Sequence, residues 1–196
     1  MLWRRAKRRG PLVVLLHGNG ADEHDIFPLE QAFPPGASVA ALRAPIAAEG
    51  GYRWYAHHDV GRPIAASLAA GMAYVEAWLE RQTASSVWLA GFSGGAVMAS
   101  ALLLAAPLRF AGVAMLHGTL PFDAGIALEP QRLRGCELFF GYGELDAVIP
   151  PALTARSQAY LRHESGAHAE IRGYRAAHEL PSPEVHDLAR WYASLT

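Results

Sequence analysis

The chain is 196 residues long, 52% hydrophobic and 18% charged, with a formal net charge of −1. That length suits one domain over residues 1–196 with a large core, and the composition excludes disorder. The balanced charge excludes nucleic acid as a partner of the molecule as a whole.

In chain order, the first feature is a cluster of cations: Arg4, Arg5, Lys7, Arg8 and Arg9. Residues 1–10 are expected to form a solvated basic arm, with contact to RNA or a membrane surface as the rival reading. The apolar run Leu12–Leu16 is shorter than the ~7–15 residues of a signal-peptide core and leads into His17-Gly18 without a cleavage pattern, so it reads as a buried strand. Ser38–Leu42, Val87–Ala90, Gly112–Leu116, Glu137–Phe140 and Ala169–Tyr174 give further strands. Between them, Ile64, Leu68, Met72, Val75 and Leu79 recur at helical spacing. Gly95–Ala105, stopped by Pro107, is a second helix, and Ala152–Arg162 and Glu184–Leu195 are the last two. Near-continuous apolar strands alternating with helices imply a mainly parallel sheet with helices on both faces. No stretch approaches the ~20 apolar residues of a membrane span. The single cysteine, Cys136, opens an apolar strand and reads as a buried, inert thiol with no sign of an oxidising compartment.

The stretch "LAGFSGGAVMA" carries the chemistry. A strand runs into Gly91-Phe92-Ser93-Gly94-Gly95 and resumes as a helix, which is the context a G-x-S-x-G nucleophile elbow requires. The serine projects from a strained turn, Gly91 and Gly95 let strand and helix approach closely, and the helix N-terminus favours a developing oxyanion.

A nucleophilic serine on such a sheet needs an acid and then a histidine downstream. "LFFGYGELDAVIPP" places Asp146 in a loop after a strand, and "IRGYRAAHELPSP" places His178 after the last strand. Both are at C-terminal strand ends, where open α/β sheets gather their sites. Glu144 is the competing acid, nearer the strand end. Among nine histidines, His163, His168 and His186 read as surface groups. His117 follows a strand but precedes the acid, so it falls outside the expected order. His57-His58 reads as a solvated or locally bonded pair, with a substrate contact as the alternative. Adjacent His57, His58 and Asp59 point apart, so no metal site is expected. In "LLHGNGADEHD", the Asn19 backbone N–H joins that of Gly94 as an oxyanion hole, the glycines allowing close approach.

Taken together, these stretches resemble the carboxylesterase/lysophospholipase family of α/β-hydrolases, which includes acyl-protein thioesterases. "LLHGNGADEHD" resembles its oxyanion loop, "LRAPIAAEGGYRWY" its R-x-P … R-W-[FY] segment, "LAGFSGGAVMA" its elbow, and "GELDAVIP" and "AAHEL" its acid and histidine loops. The resemblance implies Ser93 as nucleophile, Asp146 as acid, His178 as base, and Asn19 and Gly94 as oxyanion donors. It departs from the family in three places. Gly94 stands where many members have Gln. Tyr142-Gly143 stands where the acid loop usually opens with His-Gly. Only 11 residues precede the first matched strand, so the N-terminal antiparallel hairpin is expected to be shortened or lost.

The implied reaction is ester hydrolysis through an acyl-enzyme, with no cofactor and no metal. Trp54, Tyr55, Ile26 and Phe27 are candidates to line an acyl pocket, and the missing Gln and lid predict an open cleft that favours short to medium acyl chains. The expected partner is a small-molecule ester, with neither nucleic acid nor stable membrane insertion, in the cytoplasm; homodimerisation stays open. The rivals are a thioesterase or lysophospholipase with the same triad, and a binding module that has lost catalysis.

Overall fold

A computed structural model describes residues 1–196. In chain order, the elements begin with strands β1 (Leu2–Arg4) and β2 (Leu12–Leu16), the short helix α1 (Glu23–Ile26) and strand β3 (Ser38–Leu42). Two small hairpins follow, β4 (Ile46–Ala48) with β5 (Gly51–Arg53), and β6 (His57–Asp59) with β7 (Arg62–Pro63). Then come α2 (Ala65–Leu79), β8 (Val87–Phe92), α3 (Gly94–Ala105), β9 (Gly112–Leu116), β10 (Glu137–Gly143), α4 (Pro151–His163), β11 (His168–Tyr174) and α5 (Ser182–Ser194).

Seven strands form the main sheet in the order β1-β3-β2-β8-β9-β10-β11. All its pairings are parallel except β1 with β3. Side chains alternate across the sheet. Leu12, Val14 and Leu16 of β2 face a core shared with α2, α3 and α4, while Val13 and Leu15 face a second core built with α1 and α5. Both faces are covered, so β2 and β9 are buried at every position. This is the α/β-hydrolase architecture.

The basic arm is not a solvated tail throughout. Leu2, Trp3 and Arg4 pair with Ala41, Ala40 and Val39, closing one sheet edge. The cause is satisfaction of polar groups. The Arg4 guanidinium donates to the carbonyls of Phe33 (3.0 Å) and Pro34 (3.1 Å), Trp3 packs on Trp78, and the charges blunt an edge strand. The expected N-terminal hairpin is thus reduced to this one antiparallel strand.

Strand order positions the site. β2 pairs with β3 on one side and β8 on the other, so the chain direction through the sheet switches there, and the loops after β2 and β8 meet at their C-terminal ends. β9 lies between β8 and β10, and β11 follows. Residues just past the ends of five neighbouring strands therefore share one crevice.

A partly buried ion pair ties α1 to the end of β3. Arg43 donates to Glu23 through Nε at 2.6 Å, and the Met1 ammonium contacts the same carboxylate. Burial alone would raise the Glu23 carboxyl, but these contacts outweigh it and bring its pKa down from 4.5 to about 2. A depressed folded-state pKa means the stabilisation is complete above the unfolded value and is lost as pH falls through the folded one. Arg43 and the Met1 ammonium are both partly exposed, so solvent screens the pair, and the stabilisation should disappear between roughly pH 5 and pH 2. Denaturant melts in that window should show the loss, and Glu23→Gln should flatten it while lowering stability at pH 7.

Candidate active site

Ser93 joins β8 to α3 with φ 53° and ψ −116°, a left-handed backbone that a non-glycine residue adopts only under constraint. The constraint is visible on both sides: the Ser93 N–H donates to Leu116 O at 2.9 Å, and its carbonyl accepts from Ala96 at 3.0 Å. A Cβ at Gly91 would lie 2.1 Å from Gly95 O, and one at Gly95 would lie 2.0 Å from Leu16 O. The two glycines of the motif are therefore what let strand and helix close on the serine.

The Ser93 hydroxyl donates to His178 Nε2 at 2.9 Å, and His178 Nδ1 donates to Asp146 Oδ2 at 2.8 Å. The amides of Val148 (2.9 Å) and Ile149 (3.0 Å) donate to Asp146 Oδ1. Burial works against the Asp146 charge, but the His178 bond and the two amides hold its carboxyl below the usual aspartate range. Glu144 is exposed and makes no side-chain bond in the crevice, so the geometry separates the two candidate acids.

Asn19 and Gly94 flank the serine. Neither backbone N–H is taken up by an acceptor in the protein. A Cβ on Gly94 would come within 2.4 Å of Asn19 Oδ1. The space that a longer residue after the serine would need is thus filled by Asn19, which accounts for glycine at this position. Behind Asn19, the neutral His17 ring locks the loop: Nδ1 donates to Gly18 O at 2.7 Å and Nε2 accepts from Ala44 N at 3.1 Å, and burial lowers its pKa.

The pocket residues divide differently from expectation. Trp54 is fully buried and does not face the crevice; its Nε1 donates to His17 O at 2.8 Å, so it braces the loop after β2 from behind. Phe27 packs into the α1–α5 core and lines no cavity at the serine. Ile26 does reach the serine, in a cavity of about 390 Å³ with Gly18, Phe92 and Leu180. On the other side of Ser93 lies a cavity of about 270 Å³ walled by Tyr55, His57, Val97, Thr119 and Ile149, with the exposed Val60 and Val148 at its lip. His57 belongs to this wall and stacks edge-on to Tyr55, whereas His58 is exposed. The hairpin β6–β7 that carries His57 has no periodic sequence signal.

The histidine that chain order sets aside also lies at this crevice. His117, just past β9, is buried beside Asp146 and His178. Its Nε2 is 2.9 Å from Glu184 Oε2 of α5, and its Nδ1 is 3.3 Å from Asp146 Oδ2. His117, Asp146 and His178 bring ligand-type atoms within 4.8 Å of one another. Those atoms are already committed to hydrogen bonds among themselves and to Glu184 and Ser93, so we assign no metal to them. Cys136 is buried as expected, with Sγ 3.2 Å from Pro107 O and burial pushing the thiol up. No helix is long and apolar enough to cross a membrane.

A mainly parallel sheet with a serine elbow after β8, a carboxylate after β10 and a histidine after β11 defines the α/β-hydrolase class. The sequence profile of the phospholipase/carboxylesterase family matches residues 3–195, and the chain belongs to that family. It is 25% identical over 187 residues to the MhqD protein of Bacillus subtilis (strain 168), covering 92% of each chain. Among solved structures, the Bacillus cereus carboxylesterase superposes with a TM-score of 0.87 at 23% identity, covering all of this chain and 93% of the other. A carboxylesterase from Mesorhizobium loti gives 0.82 at 27% identity, covering 96% and 90%.

Proposed function

We propose that the protein hydrolyses carboxylic esters of short to medium acyl chain through an acyl-enzyme on Ser93. The observation that carries this reading is the hydrogen-bonded chain from Ser93 through His178 to Asp146, at 2.9 and 2.8 Å. In the first half-reaction His178 Nε2 takes the serine proton as Oγ attacks the ester carbonyl. The N–H groups of Asn19 and Gly94 receive the oxyanion, and the imidazolium is stabilised by Asp146. His178 then returns the proton to the leaving alcohol. In the second half-reaction it deprotonates water, which releases the acid and frees Ser93.

The wall formed by Tyr55, Val97, Thr119 and Ile149 bounds about 270 Å³, just under the ~300–1,000 Å³ usual for ligand pockets. That volume supports acetate to hexanoate acyl groups over palmitate. The reading needs a small ester, no cofactor and no nucleic-acid partner, and places the enzyme in the cytoplasm, where the free Cys136 thiol stays reduced.

Two measurements test this. A fluorophosphonate probe should label the protein once, and Ser93→Ala should abolish labelling; labelling that survives the substitution would move the nucleophile elsewhere. A panel of p-nitrophenyl acetate through palmitate, with an acyl thioester, should peak at acetate to hexanoate by about tenfold over palmitate, the worth of one or two methylenes of pocket fit. A peak at palmitate or at the thioester would replace the short-ester reading with its lipase-like or thioesterase rival.

A further inference from the structure

We propose that His117 and Glu184 form a positioning pair that holds one proton and uses it to present a hydrogen-bond donor, His117 Nδ1–H, to the triad carboxylate Asp146. The inference rests on Ser93, His178 and Asp146 being the catalytic chain, and extends it by one layer.

A neutral imidazole has one N–H, and an ionised carboxylate only accepts. Yet both nitrogens of His117 face carboxylate oxygens, Glu184 Oε2 at 2.9 Å and Asp146 Oδ2 at 3.3 Å. Two protons are needed to make both contacts attractive. Either the ring is an imidazolium between two carboxylates, or Glu184 carries the second proton and donates it to Nε2. In both arrangements the pair His117–Glu184 is neutral as a unit, and Nδ1–H points at Asp146. Loss of that proton leaves one N–H for two acceptors.

The surroundings support retention of the proton. His117 and Glu184 are each 1% exposed, so bulk water offers no alternative partner, and Glu184 Oε1 has no other bond. Burial opposes charge on His117, but Glu184 and Asp146 outweigh it and raise the ring's pKa; burial raises Glu184 as well, against the pull of His117. From α5, Asp187 also faces Glu184, and from β11 the Tyr174 hydroxyl donates to Asp187 at 3.0 Å. From the loop after β11, the His178 ring lies 6.0 Å from His117, and from β8 Phe92 lies 5.8 Å away.

The pair is also built into the backbone. His117 sits at φ 49°, and its N–H donates to Gly141 O at 2.8 Å. A Cβ on Gly141 would meet Glu184 Oε1 at 1.9 Å, and one on Gly143 would approach His117 Cε1 to 2.9 Å. Both glycines of β10 clear the space the pair occupies. The result is that Asp146 is held by two amides at Oδ1 and by two imidazoles at Oδ2, so its orientation toward His178 is fixed from all sides.

The test reads the pH dependence of the second-order rate of fluorophosphonate labelling at Ser93, which needs no knowledge of the natural substrate. In the native protein this rate should rise through the neutral range and fall about tenfold at alkaline pH, as the pair loses its proton and Asp146 loses a charged-group hydrogen bond. Glu184→Gln is nearly isosteric. Its amide N–H₂ donates to Nε2 and leaves the ring proton on Nδ1, still aimed at Asp146. It should therefore keep the neutral-pH rate and lose the alkaline fall. His117→Gln should lower the rate about tenfold at all pH values where the native pair is protonated, with turnover of a short ester reduced in kcat and not in KM. Superimposable profiles for native protein and Glu184→Gln would overturn the proposal even if His117→Gln does not fold. A native protein that is not labelled at all would instead remove the catalytic reading beneath it.

Discussion

Asp146→Asn should leave a folded protein whose kcat for short esters is about 10⁴-fold lower, the size of the loss for the equivalent change in a serine protease triad. The local geometry explains why the asparagine cannot adapt. Val148 and Ile149 both donate to Oδ1, so the amide oxygen of the new side chain must take that position. Its N–H₂ is then forced into the Oδ2 position, facing Nδ1 of His178 and of His117. A donor at His178 Nδ1 drives the ring proton to Nε2, where it meets the Ser93 hydroxyl instead of accepting from it. Flipping the amide would set its N–H₂ against two backbone N–H groups and leave them unsatisfied, so relaxation is blocked. Raising the pH should not restore the rate, because the defect is a tautomer and not a charge. Glu144→Gln, on an exposed side chain with no bond in the crevice, should change kcat by roughly twofold or less. Steady-state turnover and circular dichroism of both variants decide it, and a larger loss in Glu144→Gln would reassign the acid.

The same residues show what the sequence could and could not disclose. Ser93, Asp146 and His178 are legible because each ends an apolar strand run and the class imposes a chain order. That order also hid His117. Strand β9 lies between the strands that carry the serine and the acid, so a residue just past it falls between them in space. A filter on order along the chain discards it, and its partner Glu184 is 67 residues away on the last helix. Trp54 was legible as an aromatic near the site, but nothing in its neighbourhood tells which way the indole turns; the carbonyl of His17 decides that. The edge strand Leu2–Arg4 escaped notice because its arginine reads as solvent-seeking, and only the folded loop supplies the carbonyls of Phe33 and Pro34 that Arg4 binds. Local pattern thus specifies strand ends and turns, while contacts made across the sheet order are absent from any local window.

Gly95→Ala should be among the most damaging single-methyl changes in the elbow. The added Cβ would stand 2.0 Å from Leu16 O and 2.7 Å from His17 O, both main-chain atoms of the β2 end that cannot rotate away. Relief requires α3 to move off the sheet by the better part of an ångström. Overpacking of this kind costs about 3 kcal/mol, and for a domain of this size that is a fall in melting temperature of roughly 6–12 °C. The catalytic loss should exceed the stability loss in consequence. The displacement acts at the second residue after Ser93, so it shifts Oγ from His178 and moves the Gly94 N–H away from Asn19 together, and a misplacement of ~1 Å can cost 10²-fold. Gly36→Ala provides the control. It has nothing within 4 Å of its new methyl and lies outside the glycine-only backbone regions, so it should leave both quantities unchanged. Thermal melts and fluorophosphonate labelling rates on the two variants make the comparison. A Gly95→Ala protein that keeps the native labelling rate would mean the elbow tolerates a wider strand–helix gap, and that the close approach at Gly95 is not what sets the position of Ser93.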